Sequence, residues 1–235
     1  MTRYQWTPDM SLRPTASALL PLALAAVFAV SSPAFGQDHS KINGSIHVED
    51  GQKAGDLDTV NGSIRVGENA TAGDAETVNG SIKVYDGAGV GGLATVNGSI
   101  KVGSQVTVGD DVETVNGSIF IDRGGNVGGD IETVNGAIGL VDTDVAGGIA
   151  TVNGDLTVGI GSHVRGGIHY EKPGTQLISF KRRDPRVVIG PDARVDGPLV
   201  FEHSVSLYVH ETASIGPVTG ATAVRYSGAR APAGD

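Results

Sequence analysis

The chain has 235 residues, of which 36 are glycine, 5% are aromatic and none is cysteine, and its formal net charge is −9. The lack of cysteine excludes disulfides, thiolate chemistry and cysteine-ligated zinc. The acidic balance argues against nucleic acid as a partner, because proteins that bind nucleic acid neutralise its phosphates with basic side chains. Hydrophobic residues make up 39% of the chain, which is too large a share for a disordered polyelectrolyte.

Residues 1–36 have the pattern of a secretory signal peptide. Two arginines are followed by a mostly apolar run over 16–30, and small residues stand at 34 and 36. This order predicts cleavage between Gly36 and Gln37. The apolar run is shorter than the ~20 residues that a spanning helix needs. We therefore expect an exported protein that is periplasmic, on the cell surface or secreted, with no membrane span after cleavage.

Residues 37–165 form a repeat array. The dipeptide Asn-Gly recurs at spacings of 18 or 19 residues, and five copies read Thr-Val-Asn-Gly-Ser-Ile or nearly so. The repeated asparagines are Asn43, Asn61, Asn79, Asn97, Asn116, Asn135 and Asn153. A short and nearly constant period predicts a solenoid in which each repeat makes one turn.

Aliphatic residues occupy fixed positions around each asparagine, four and one before it and three and five after it. Polar residues lie between them at a period near two, which is typical of strands, and no 3.6-residue pattern is present. We predict an all-β fold, a single-stranded β-helix (β-solenoid) of about 18 residues per turn. Each aliphatic column would stack on itself at roughly 4.8 Å and fill the interior, with the glycine after each asparagine allowing a sharp bend.

The pattern changes after the regular repeats. A basic loop or excursion is predicted over 166–187. A six-residue period over 188–218, beginning with Ile189-Gly190-Pro191-Asp192-Ala193, predicts further, hexapeptide-like solenoid turns. Residues 219–235 are predicted to form a C-terminal cap or tail. The solenoid would then have about nine turns.

A column of threonines stands two residues before the asparagines. On a regular strand both residue types would point the same way, so they would form a flat outward face. Its threonines are Thr59, Thr77, Thr95, Thr114, Thr133 and Thr151. Such a face is a candidate for binding ice, glycan or an envelope polymer. The alternative is structural, because β-branched threonine favours strands and stacked asparagines satisfy their amides in a ladder of hydrogen bonds.

Charged residues also fall in columns. The acidic columns are typical of a solvated face, with calcium binding through carboxylate oxygens as the alternative. In the excursion, Lys181, Arg182, Arg183 and Arg186 form a basic cluster. This cluster is either a solvated loop or a contact with an anionic envelope polymer. The histidines lack the compact spacing of a zinc motif, and we expect neither a metal nor a cofactor.

The sequence shows no nucleophile elbow, phosphate loop or dinucleotide fingerprint. The six-residue period resembles that of the left-handed β-helix acyltransferases, and that resemblance implies a catalytic histidine at His203 or His210. Polysaccharide lyases also use β-helices. An acyltransferase or a lyase is therefore the enzymatic alternative to a protein that we expect to be non-enzymatic.

The architecture resembles that of the bactofilins, the polymer-forming β-helical proteins of bacteria, and that of exported bacterial β-strand-repeat proteins of adhesin type. This resemblance rests on the turn length, the aliphatic columns and the glycine corners across Lys41–Val218. The bactofilin resemblance implies end-to-end filaments formed without nucleotide. Only four residues separate the predicted cleavage site from the first turn, and exposed strand edges usually need a cap. We therefore expect a structural or surface-interaction role, with self-association through the solenoid ends.

Overall fold

The computed structural model describes residues 36–173 and 183–232, which form a parallel β-solenoid of about nine turns with about 19 residues per turn. The described residues contain strands, turns and bends and no helix, so the predicted all-β solenoid is confirmed. The predicted signal peptide lies outside the described residues except for Gly36. Lys181 and Arg182 also lie outside them.

Each turn contributes to three parallel sheets, named A, B and C here, and neighbouring strands come from successive turns. Sheet A contains β1 (His39–Asn43), β3 (Leu57–Asn61), β5 (Ala75–Asn79), β8 (Leu93–Asn97), β11 (Val112–Asn116), β14 (Ile131–Asn135), β17 (Ile149–Asn153), β20 (Ile168–Tyr170), β23 (Leu199–Phe201) and β26 (Val218–Thr219). Sheet B contains β2 (Ile46–Val48), β4 (Ile64–Val66), β6 (Ile82–Val84), β9 (Ile100–Val102), β12 (Ile119–Ile121), β15 (Ile138–Leu140), β18 (Leu156–Val158), β21 (Arg186–Ile189), β24 (Ser206–His210) and β27 (Ala223–Tyr226). Sheet C contains β7 (Gly89–Val90), β10 (Thr107–Val108), β13 (Asn126–Val127), β16 (Asp144–Val145), β19 (His163–Val164), β22 (Arg194–Val195) and β25 (Ser214–Ile215).

The core is a bundle of aliphatic columns inside the three sheets. In one turn Leu93 points inward from sheet A, Ile100 and Val102 from sheet B, and Val108 from sheet C, and all four are buried. Strand pairing keeps equivalent residues in register, so each column stacks like on like from turn to turn. Full burial of one such side chain contributes about 1.5–3 kcal/mol, which makes these columns the main source of stability.

The corner between sheets A and B requires glycine. A Cβ on Gly98 would overlap the backbone carbonyl of Gly80 one turn away, so the close approach of successive turns excludes every other residue. The corner between sheets B and C instead contains a residue in the left-handed backbone conformation, with positive φ. Asn69, Gln105 and Asp142 adopt φ values of 55°, 58° and 46° there, and asparagine and aspartate tolerate this region better than most residues.

The solenoid continues on both sides of the excursion. Strand β20 extends sheet A to Tyr170, and β21 resumes sheet B at Arg186, so the interruption is narrower than the predicted 166–187. The hexapeptide-like region supplies the expected further turns. Strand β27 pairs with β24, which carries the solenoid beyond the predicted end at residue 218 into the segment predicted as a cap or tail.

Candidate functional site

The prediction that the threonine column faces outward is wrong. All six side chains, Thr59, Thr77, Thr95, Thr114, Thr133 and Thr151, are buried, with at most 4% of the residue exposed. The first five donate their hydroxyl proton to a glycine carbonyl of the preceding turn, at 2.9–3.3 Å. One turn beyond Thr151, Tyr170 takes the same register position, and its hydroxyl donates to the carbonyl of Gly154 at 3.0 Å. The column closes a corner and offers no surface to a ligand.

The error has a simple geometric cause. Alternate residues of a strand point to opposite faces, so Leu93 and Val96, three positions apart, cannot both point inward. The structure places Leu93 and Thr95 inside and Val96 on the outer surface. Threonine suits the inner corner because its hydroxyl donates a hydrogen bond to a glycine carbonyl of the preceding turn, whereas valine has no donor.

The asparagine ladder is confirmed. The Nδ2 of each asparagine donates to the Oδ1 of its neighbour one turn earlier, at 3.0–3.2 Å, from Asn61 through Asn153. Both ends of the amide are used within the column. The asparagines therefore hold turns together and do not form a binding face with the threonines.

Two further ladders join side chains to the backbone. The carboxylates of Asp38, Asp56 and Asp74 accept backbone N–H groups of the next turn at 2.7–3.1 Å. The hydroxyl oxygens of Ser45, Ser63, Ser81 and Ser99 do the same at 3.2–3.4 Å. This role explains an aspartate column without calcium. Across the described residues, no group of three or more histidine, aspartate or glutamate side chains is placed to hold a metal ion.

The outer surface of sheet A carries a valine column beside an acidic column, and we call this the acidic–valine face. Its members are Val60, Val78, Val96, Val115, Val134, Asp58, Glu76, Glu113 and Glu132. Burial, followed by the charge of neighbouring carboxylates, raises the pKa of all four acids. For Glu132 the pKa rises to about 7, from burial first and then from Glu113 and Asp130.

The outer surface of sheet B carries a basic column over three consecutive turns. Arg65, Lys83 and Lys101 are in register and exposed. They line a shallow groove of about 220 Å³ together with Ser63, Ser81 and Ser99. We call these six residues the basic–serine strip. The Lys83 ammonium lies 4.0 Å from the centre of the Tyr85 ring, a distance that favours a cation–π contact.

An exposed aromatic residue continues the same column. Phe120 is in register with Lys101 on one side and with Gly139 on the other, and it is 41% exposed. A Cβ on Gly139 would lie 3.3 Å from the Phe120 ring, so the glycine leaves room for the ring to lie across the sheet surface. The column thus passes from three cations to one aromatic platform within four turns.

The described part of the predicted basic cluster is engaged within the chain. Arg183 pairs with Asp155 at 2.6 Å, and the backbone N–H of Arg186 donates to the same carboxylate at 2.9 Å. The Arg186 guanidinium donates to the carbonyls of Ala231 and Pro232 at 3.1 and 2.8 Å. Arg186 thereby fastens the C-terminal segment to the solenoid, and Arg183 is held by Asp155.

The histidines of the later turns make structural contacts. His163 lies 2.8 Å from Asp196, and this contact together with Arg194 lowers the pKa of the Asp196 carboxyl. Of the two candidates for a catalytic histidine, His203 contacts the carbonyl of Val152 at 3.0 Å, and His210 contacts Thr212 at 2.9 Å. Each is thereby held by a neighbouring group of the fold.

The fold defines the chain as a parallel β-solenoid. Comparison with protein-family models, with curated proteins and with solved structures finds no match. Over residues 36–173 and 183–232, no helix has the length and apolar character needed to cross a membrane. The outer surfaces of sheets A and B, with their columns of like side chains, are the candidate binding surfaces.

Proposed function

We propose that the protein is an exported, non-enzymatic structural rod whose side faces bind extended partners in or beyond the cell envelope. The observation that carries this proposal is the stacking of like side chains on the outside of the solenoid, above all Arg65, Lys83 and Lys101. Such a column repeats one chemistry at intervals of about 4.8 Å. A linear or flat partner can use the whole column, whereas a small molecule would use only one or two members.

The proposal of export rests on the signal-peptide pattern of residues 1–36 and is supported by where the solenoid begins. The carbonyl of Gln37 accepts the backbone N–H of Gly55 at 3.1 Å, and the N–H of His39 donates to the carbonyl of Asp56 at 2.8 Å. Cleavage after Gly36 would therefore leave the first turn intact. The resemblance to bactofilins and adhesin-type repeat proteins is proposed at the level of architecture.

Self-assembly through the N-terminal end is the second candidate. Strand β1 is the edge of sheet A, and its five residues are exposed. The inward register positions that Leu57 and Thr59 hold in the next turn belong to His39 and Lys41. Inward-pointing charge on an edge strand opposes pairing with another chain. This end therefore has an open strand edge and also charged residues that disfavour pairing at that edge.

The test is to express the full chain in a Gram-negative bacterium, fractionate the cells, and determine the N-terminus of the product by mass spectrometry. We expect a chain that begins at Gln37 in the exported fraction, and a rod on the order of 40 Å long by small-angle scattering. An uncleaved cytoplasmic product would refute export. A compact scattering profile would refute the rod.

Sedimentation over a wide concentration range tests the second candidate with the same material. Filaments or species that grow with concentration would support end-to-end assembly, and a constant monomer would refute it. The double substitution His39→Leu and Lys41→Val provides the matched variant, because it gives β1 the apolar inward residues of an internal strand. We expect this variant to associate more strongly than the parent chain.

A further inference from the structure

We propose that the basic–serine strip and Phe120 form a binding site for a linear acidic polysaccharide that runs along the solenoid axis. This inference rests on the proposed function and names the partner class of one of its side faces. The site comprises three cations in register, a parallel column of serine hydroxyls and an aromatic ring at one end.

The first argument is the repulsion within the basic column, which no ion pair in the described part of the chain offsets. Arg65, Lys83 and Lys101 lie side by side on neighbouring strands, and like charges directly opposite one another destabilise a sheet. Within residues 36–173 and 183–232, none of the ion pairs includes any of the three. A bound polyanion would remove this repulsion.

Sheet C shows that the chain can relieve such repulsion within itself. Its outward column runs from Asp144 to His163 to Arg194, and Asp196 lies close to both basic members. Ionic residues of opposite sign are thus placed next to each other there. On sheet B the stacked charges of Arg65, Lys83 and Lys101 are all positive, although the net charge of the chain is −9.

The second argument concerns hydrogen bonding. The Oγ atoms of Ser63 and Ser81 each accept a backbone N–H of the next turn, at 3.4 and 3.3 Å. A serine hydroxyl carries one proton and two lone pairs. Acceptance from the backbone therefore leaves its proton to donate into the groove, and a column of such donors beside the cations fits a ligand that carries carboxylates and hydroxyls together.

The third argument is the aromatic platform, which separates a glycan from other polyanions. Phe120 lies one strand beyond Lys101 and is exposed, with Gly139 beneath its ring. The apolar face of a pyranose ring packs on an aromatic surface, whereas a phosphate chain has no such face. The three strand intervals from Arg65 to Phe120 span about 14 Å, the length of a few sugar residues in an extended chain.

Binding of polygalacturonate to the purified exported protein, measured by isothermal titration calorimetry, tests the site. The same polymer in fully methyl-esterified form is the control, because it keeps the backbone and loses the carboxylate charge. We expect binding to polygalacturonate that weakens as salt rises and at least tenfold weaker binding to the ester. Equal binding to both polymers, or to neither, would overturn the proposal.

The variant Arg65→Gln/Lys83→Gln/Lys101→Gln is expected to weaken binding at least tenfold. Its matched control is Lys53→Gln/Arg123→Gln/Arg165→Gln, which removes the same charge from exposed positions outside the strip and should leave affinity within about twofold of the parent. If both triple variants lose affinity equally, the effect is one of net charge and the site is refuted. Circular dichroism checks that each variant keeps its fold. If the triple variant does not fold, the single substitution Lys83→Gln takes its place.

Polyphosphate and Phe120→Ser distinguish a glycan from a polyanion in general. We expect Phe120→Ser to weaken polygalacturonate binding about fivefold and to leave polyphosphate binding unchanged. Polyphosphate binding as tight as that of polygalacturonate, with no effect of Phe120→Ser on either, would overturn the assignment to a glycan. None of these outcomes alters export or rod shape, so failure here is distinct from failure of the proposed function.

Discussion

The hydroxyl of Thr95 donates its proton to the backbone carbonyl of Gly80, 2.9 Å away in the preceding turn. This contact links the two halves of the Thr-Val-Asn-Gly repeat, because the threonine of one turn satisfies the glycine of the turn before it. Thr95 is fully buried, so its hydroxyl depends on this carbonyl as its hydrogen-bond partner. The repeat therefore serves packing, and the same contact recurs at five successive corners.

Thr95→Val should destabilise the solenoid by about 0.5–1.5 kcal/mol, because it removes the part-buried hydrogen bond to the Gly80 carbonyl. The matched variant is Thr151→Val. The hydroxyl of Thr151 is buried and has no hydrogen-bond partner in the described part of the chain, so its removal should be neutral or slightly stabilising. Urea denaturation of both variants checks the pair. Equal losses would show that the hydroxyl contact contributes little.

Asn97→Ala should lower stability by about 1 kcal/mol. The amide of Asn97 donates to Asn79 at 3.0 Å and accepts from Asn116 at 3.1 Å, so the substitution breaks the ladder in two places. Asn126, an exposed strand residue on sheet C, provides the control as Asn126→Ala, for which we expect a change below about 0.5 kcal/mol. Thermal unfolding followed by circular dichroism is the measurement, and similar shifts for both variants would contradict the ladder's role.

Glu132→Gln should stabilise the chain at pH 8 and have little effect at pH 5. The pKa of Glu132 in the folded chain is about 7, against an ordinary value of 4.5, so the folded state holds a proton that the unfolded state releases. Its contribution to stability is greatest below pH 4.5 and is lost as the pH rises through 7. With solvent screening of a half-buried group, we expect a gain of about 1 kcal/mol at pH 8.

The exposed corner residue Glu68 gives the control for this pH dependence as Glu68→Gln. Melting temperatures recorded from pH 5 to pH 8 should converge for Glu132→Gln and the parent chain at the acidic end. They should stay close throughout for Glu68→Gln. A stabilising effect of Glu132→Gln that is the same at both ends of the range would show that its cause is not the titration of this carboxyl.

Gly98→Ala should destabilise the solenoid by about 3 kcal/mol. Its new Cβ would overlap the carbonyl of Gly80, whereas a Cβ on Gly89 would meet nothing closer than the Thr71 methyl at 4.0 Å. Gly89→Ala is therefore expected to be tolerated. Expression yield and urea denaturation of the two variants test the distinction between a glycine that the packing requires and one that it does not.

The fold was predictable because the repeat and its period are visible along the chain. Columns such as Ile64, Ile82 and Ile100 recur at a constant interval, and only stacked parallel strands bring such residues into register. The outer limits were harder to predict. The excursion interrupts the period, so the continuation to Tyr170 and the last strand at Ala223–Tyr226 carried no repeated motif.

The candidate site was predicted less well. The sequence places threonine and valine next to each other in six of the seven repeats, and both are β-branched residues that suit a strand. Because alternate residues of a strand face the same side, an inward-facing Leu93 already implies that Thr95 also faces inward. The repeat showed the cations of the basic–serine strip as a column, but it did not show the groove, because the groove depends on how closely the serine and cation columns lie on sheet B.

The sequence by itself determined the period, the strand character and the like-on-like stacking of the aliphatic columns, since a repeat of about 18 residues with alternating polarity can bury its apolar side chains only by coiling on itself. The tertiary structure alone decided which β-branched residue turns inward. That choice depends on the backbone carbonyl of Gly80, which only the stacking of successive turns brings within 2.9 Å of the Thr95 hydroxyl.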